Sequence, residues 1–168
     1  MNKQELLAGR DYFNLVHGVT MRAIAALTDK DLDFRPAPGV RSPRELIFHI
    51  YSQEQILAEA AQQGSFTPDM ANRANPEDPS AATALGRLAT VQDAVAFANA
   101  CHSAAEQIFR SMSDEAVTRQ IESPFGAYPA ARYFQFAYDE HWHHRGQLYT
   151  YLRLLGKEPP MLYDYQAG

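Results

Sequence analysis

The stretch Tyr138-Asp139-Glu140-His141-Trp142-His143-His144-Arg145-Gly146-Gln147-Leu148 holds three of the six histidines in the chain. It lies inside a longer segment, from Pro129 or Ala130 to Leu155. There Phe134, Ala137, His141, His144, Leu148, Tyr151 and Leu155 recur at three-four spacing, the pattern of a helix with one inward face. Gly156 supplies a C-terminal cap, and Pro159-Pro160 prevents continuation. Successive residues on a helix turn by about 100°. With Glu140 at zero, His144 lies about 40° away, His141 about 100° and His143 about 300°. His144 therefore faces inward and can pair with Glu140 or with His141. His143 falls off the stripe and is expected in solvent.

Working outward, three more segments carry helical periodicity. One runs from about Lys3 to Leu27, with Leu7, Phe13, Val16, Met21, Ile24 and Leu27 available for its inner face. A second runs from about Pro43 to Gln62 and opens on Ser42-Pro43-Arg44-Glu45, a capping box with proline at the first helical position. A third starts near Thr90, which with Asp93 forms a weaker cap, and ends near Met112. No segment alternates with β-branched residues, so no sheet is expected. Four helices point to an all-α four-helix bundle. The connection from Gly64 to about Ala89, with Pro68, Pro76 and Pro79, is long enough to return the chain to its starting end. An up-down-down-up order then becomes available.

The bulk numbers fit one domain over residues 1–168. The chain is 46% hydrophobic and 21% charged, with a net charge of −5 and a pI near 5.6. No run of Lys or Arg is present, which argues against nucleic acid as a partner. Cys101 is the single cysteine, so no intramolecular disulfide can form. It reads as a small core residue rather than a nucleophile. No apolar run reaches the roughly 18 residues of a membrane span, and Met1-Asn2-Lys3-Gln4-Glu5 has no signal-like character. A cytoplasmic protein without a membrane partner is the expectation.

An inward histidine beside a carboxylate needs a partner, because unpaired polar groups are costly to bury. Two readings stand side by side. One is a hydrogen-bonded pair without metal, common on helices. The other is a divalent cation, which takes neutral imidazole nitrogen and carboxylate oxygen together. His49, one turn after the capping box on the second helix and on the same face as Leu46, Gln53 and Ile56, is the third candidate ligand. Three protein ligands would leave a coordination position open for water or substrate, as in reactive rather than structural sites. His141, Arg145 and Gln147 are candidates to act near the metal. His17 and His102 read as partly buried or surface residues, with His17 a weaker candidate beside the site. Arg145 reads as an anion-binding residue or as cover for a surface carboxylate.

These residues also resemble a known family. Arg41-Ser42-Pro43-Arg44-Glu45-Leu46 followed by His49, then His143-His144-Arg145-Gly146-Gln147-Leu148, then Leu154-Leu155-Gly156-Lys157-Glu158-Pro159-Pro160, are similar to the DinB-like (YfiT-like) family of metalloenzymes, over roughly residues 5–165. The resemblance implies an up-down-down-up bundle and a metal site with one ligand from the second helix and two from the last. Carried onto this chain, the ligands are His49, Glu140 and His144. The family commonly has histidine where Glu140 stands. The two-histidine, one-glutamate set resembles that of the mycothiol-dependent maleylpyruvate isomerase. The same resemblance implies one divalent metal, zinc first with nickel, iron or manganese as alternatives. It also implies a small-molecule substrate, a role in bacterial stress response, and S-transferase-like chemistry with a low-molecular-weight thiol cosubstrate. A metal-dependent hydrolase is the alternative, and a non-catalytic metal- or small-molecule-binding protein is the second. A homodimer is a further expectation, with Tyr163-Asp164-Tyr165 as its candidate contact.

Overall fold

The computed structural model describes residues 1–165; the last three residues of the expected 1–168 domain lie outside the described residues. Four long helices carry the fold: α1 (Lys3–Ala25), α2 (Pro43–Gln63), α5 (Val91–Ser111) and α7 (Ala130–Leu154). Each of the first three starts is chemically marked. Asn2 with Glu5, Ser42 with Glu45 and Thr90 with Asp93 form reciprocal capping boxes at α1, α2 and α5, satisfying amide donors that have no partner inside the helix. The α2 helix ends at Gly64, whose φ of 91° is a left-handed conformation that glycine adopts without steric cost.

The helix directions follow from the side chains that meet. Arg10 and His17 of α1 reach Glu54 and Tyr51 of α2, and Glu106 and Asn99 of α5. Rising numbers on α1 meet falling numbers on both partners, so α1 opposes them. Phe48 meets Phe97 and Glu54 meets His102, so α2 and α5 run parallel. Phe13 packs on Phe134, and Thr20 bonds His141, so α1 and α7 run parallel. The order is up-down-down-up, with α1 and α2 across a diagonal.

The long connection between α2 and α5 differs from a plain linker. It folds into α3 (Pro68–Arg73), a 3-10 turn over Pro79–Ala81, and α4 (Ala82–Leu85). Pro68 and Pro79 begin these elements rather than interrupt them, since proline suits the first helical turn. After α5, the short α6 (Asp114–Thr118) leads to β1 (Gln120–Ile121), paired antiparallel with β2 (Tyr128–Pro129). This corrects the expectation of no strand. Two residues per strand are too few for alternation to register. The turn between them relies on Gly126, with φ 115°.

Two apolar clusters fill the bundle. Leu6, Phe13, Phe109 and Phe134 belong to one, and Ile24, Ile47, Leu148 and Leu152 to the other. Arg10, His17, Glu54 and His102 are buried polar residues on the helices between them. Cys101 is buried and free, and burial pushes its thiol up to about 12. No helix among the described residues is long and apolar enough to cross a membrane.

Candidate metal centre

His49 comes from the second turn of α2, and Glu140 with His144 from the middle of α7. Antiparallel packing of the two helices brings all three together. One donor atom from each lies within 4.8 Å of the others. Glu140 Oε2 stands 3.2 Å from His144 Nε2 and 3.6 Å from His49 Nε2. The two imidazole rings meet edge to face at 4.8 Å. His49 and His144 side chains are only 12% and 10% exposed, whereas Glu140 is 41% exposed. The site is thus walled by its histidines and opens on the glutamate side.

The far nitrogens of both rings are already occupied. His49 Nδ1 donates to the carbonyl of Ala74 at 2.7 Å. His144 Nδ1 donates to Gln147 Oε1 at 2.8 Å. The Gln147 amide nitrogen lies 3.4 Å from His143 Nε2, which leaves its oxygen facing His144. In the neutral rings the only proton sits on Nδ1, so both Nε2 atoms present lone pairs. A carboxylate presents only lone pairs as well. With both rings neutral, three acceptors converge on one point, a set that takes up positive charge, either protons on Nε2 or a cation. The Glu140 carboxyl is held well below the ordinary range, first by hydrogen bonding with His144 and then with His49, so it stays ionised whichever positive charge fills the site.

The donor set fits a divalent ion. Nitrogen and oxygen ligands at about 2.0–2.1 Å on a tetrahedral ion stand roughly 3.3 Å apart, close to the 3.2 and 3.6 Å found here. Acceptors on the opposite ring nitrogens are what orient metal-binding histidines elsewhere.

The other candidates are placed differently. His141 does not join the cluster. Its offset of about 100° from Glu140 turns it towards α1, where Nε2 meets Thr20 Oγ1 at 2.8 Å and Nδ1 is buried without a partner among the described residues. Burial lowers this imidazole to about 3. Arg145 also faces α1. It is 1% exposed, stacked 3.9 Å from the Trp142 ring centroid, with Nη1 3.4 Å from the Val16 carbonyl. Among the described residues it pairs with no carboxylate and does not reach the centre, because it comes one residue after His144 and so turns past the α2–α7 seam. Gln147 touches the site through His144. His143 is exposed, as its angle on the helix requires.

His17 and His102 depart from expectation in being buried. They stack face to face at 3.8 Å between centroids. His17 bonds Tyr51 and Asn99; His102 bonds Glu54 and Asn14. Arg10 bonds Glu54 at 2.9 Å and Glu106 at 2.6 Å. Burial alone would raise the Glu54 carboxyl, but the His102 hydrogen bond and the charges of His102 and Arg10 outweigh it and hold the group at about 2. Burial, and then His102, lower His17 to about 4. Arg10 and Glu54 interrupt apolar stripes, and that interruption was the only sequence signal for this network.

The family model for the DinB superfamily matches residues 12–148. The chain belongs to this superfamily. Among solved structures, a DinB-like protein of Bacillus subtilis is similar with a TM-score of 0.71 and 20% identity, covering 92% of this chain and 96% of that one. The mycothiol-dependent maleylpyruvate isomerase is similar with a TM-score of 0.66 and 15% identity, covering 88% of this chain. The match spans 61% of the isomerase chain. At these identities both likenesses speak for the DinB fold. No curated protein sequence matches the chain.

Proposed function

We propose that this DinB-superfamily protein is a metal-dependent enzyme acting on a small molecule, with His49, Glu140 and His144 holding one divalent ion, zinc first among the candidates. The observation that carries the reading is the convergence of three lone-pair donors whose outer hydrogens are already committed to Ala74 and Gln147. His17 and His141, the other histidines read as near the site, are bonded to Tyr51 and Asn99 and to Thr20. That favours an open coordination position and hence catalysis over storage or sensing.

A divalent ion held there lowers the pKa of a thiol or water that binds it. The chain's own residues do the rest. Ala74 and Gln147 fix the two rings so that Nε2 points inward. Glu140, exposed on one side, leaves that side of the site open to an incoming thiol or water, whose proton can pass to solvent. The proposed chemistry is transfer of a low-molecular-weight thiol to an electrophilic small molecule; the likeness to a mycothiol-dependent isomerase supports the thiol over water.

The test is metal content of untreated protein beside His49→Ala, Glu140→Ala and His144→Ala, followed by turnover of an aryl chloride with bacillithiol or mycothiol. Near-stoichiometric metal in the parent and its loss in all three variants is expected. Metal retained equally in the variants would refute the site. Fully loaded protein without thiol-dependent turnover would refute the transferase chemistry, and turnover of esters or amides without thiol would favour the hydrolase.

A further inference from the structure

Beside the centre lies a cavity of about 540 Å³, lined from α2, α3, the β1–β2 hairpin and α7, with Glu140 in its wall. Its size falls in the range of small-molecule sites. The walls are aromatic. Phe66 meets Phe125 at 6.5 Å and Tyr133 at 6.2 Å between centroids, and Tyr128 stands edge-on to Phe136 at 5.3 Å. The hairpin is tied down beside it: the amide of Phe66 donates to the carbonyl of Glu122 at 2.9 Å. Phe125, at the hairpin tip, is 75% exposed, an apolar ring left at the mouth.

Among the described residues the charged groups in the lining are Asp139 and Glu140, and no Lys or Arg contributes to it. Arg132 sits 5.1 Å from the Phe136 ring centroid but is not part of the wall. A substrate carrying a carboxylate or phosphate away from the metal would find no Lys or Arg in the lining to pair with. Gln53, one turn after His49 on α2, also lines the cavity, and its Oε1 is buried with no hydrogen-bond partner among the described residues. That oxygen accepts from an N–H or O–H.

We infer that the substrate of this centre carries an uncharged aromatic group seated in this cavity, with a hydrogen-bond donor directed at Gln53. The inference rests on the proposed enzyme reading for the word substrate, but the cavity's preference stands apart from the metal. It sets this chain apart from a site built for a dicarboxylate, whose second carboxylate would need an arginine or lysine in the wall.

A matched pair of fluorescent probes tests it: neutral N-phenylnaphthylamine, and anilinonaphthalene sulfonate, the same skeleton with a negative charge. Each is titrated into zinc-loaded protein and into His49→Ala. The neutral probe is expected to bind at least about tenfold more tightly than the anion in both, because burying an unpaired charge is costly. Phe125→Ala and Phe136→Ala should each weaken the neutral probe about fivefold or more, as loss of a stacked ring does. Asp139→Asn should narrow the gap between the probes. Phe125 is exposed, so its variant decides the matter even where Phe136→Ala does not fold. Equal or stronger binding of the sulfonate, no binding of the neutral probe, or wild-type affinity in Phe125→Ala would overturn the inference. Loss of probe preference with metal binding intact strikes only this inference; absent metal with the preference intact strikes only the enzyme reading.

Discussion

Replacing Gln147 by leucine removes the oxygen that accepts the His144 Nδ1 hydrogen at 2.8 Å while leaving all three donor atoms of the centre in place. Loss of such an orienting partner lowers metal affinity about 10–100-fold. Gln147 is half-buried, so water can take over as acceptor, which points to the lower end, about tenfold or about 1.4 kcal/mol. Zinc at about 100 times the parent's Kd stabilises the parent by about 2.7 kcal/mol. The variant at the same zinc concentration sits near ten times its own Kd and retains about 1.4 kcal/mol. The difference, about 1.3 kcal/mol, corresponds to a melting temperature roughly 3–5 °C lower for a chain of this size. Zinc affinity is read by competition with a chromophoric chelator, and melting by calorimetry with and without zinc. Affinity within about twofold of the parent would refute the orienting role. So would a metal-free variant that loses as much melting temperature as the loaded one, since the glutamine would then serve the fold and not the metal.

Acidification should destabilise the protein in two steps. His17 and His141 are lowered from their ordinary 6.5 to about 4 and about 3, so the unfolded chain takes up these protons first; stability is full above about pH 6.5 and falls towards pH 4, by about 1–3 kcal/mol for each group. Glu54 is lowered to about 2, so its contribution is present above about pH 4.5 and is lost below it. Urea unfolding across pH 8 to 4 checks the first step, and a flat or rising profile would contradict it. Arg10→Met should cost about 3–5 kcal/mol, because it leaves Glu54 buried without its cation; a loss under about 1 kcal/mol in denaturant titration would show that His102 alone satisfies the carboxylate. Cys101, with its thiol raised to about 12 by burial, should react with a disulfide reagent only as fast as the protein opens. Stoichiometric labelling of the native protein within seconds would show the burial to be wrong.

Helix ends and inward faces were legible in the sequence because they depend on neighbours within a turn or two. Ser42 with Glu45, Thr90 with Asp93, and the glycines and prolines past the C-termini mark their positions by local hydrogen bonding and backbone sterics alone. The same local geometry put Glu140 and His144 one turn apart, but it allowed His141 as well; resemblance to the DinB family favoured Glu140. The tertiary structure decided what depends on registry between helices. It set His49 opposite Glu140 across the α2–α7 seam, supplied the Ala74 carbonyl from the long connection between α2 and α5, and turned His141 and Arg145 towards α1. It also buried His17 and His102 around Arg10 and Glu54, whose charges are tolerated inside the bundle because Arg10 meets Glu54 and Glu106 and Glu54 also meets His102. Such pairings join residues tens of positions apart, and their energy exists only once the helices have packed, so no periodicity along the chain records them.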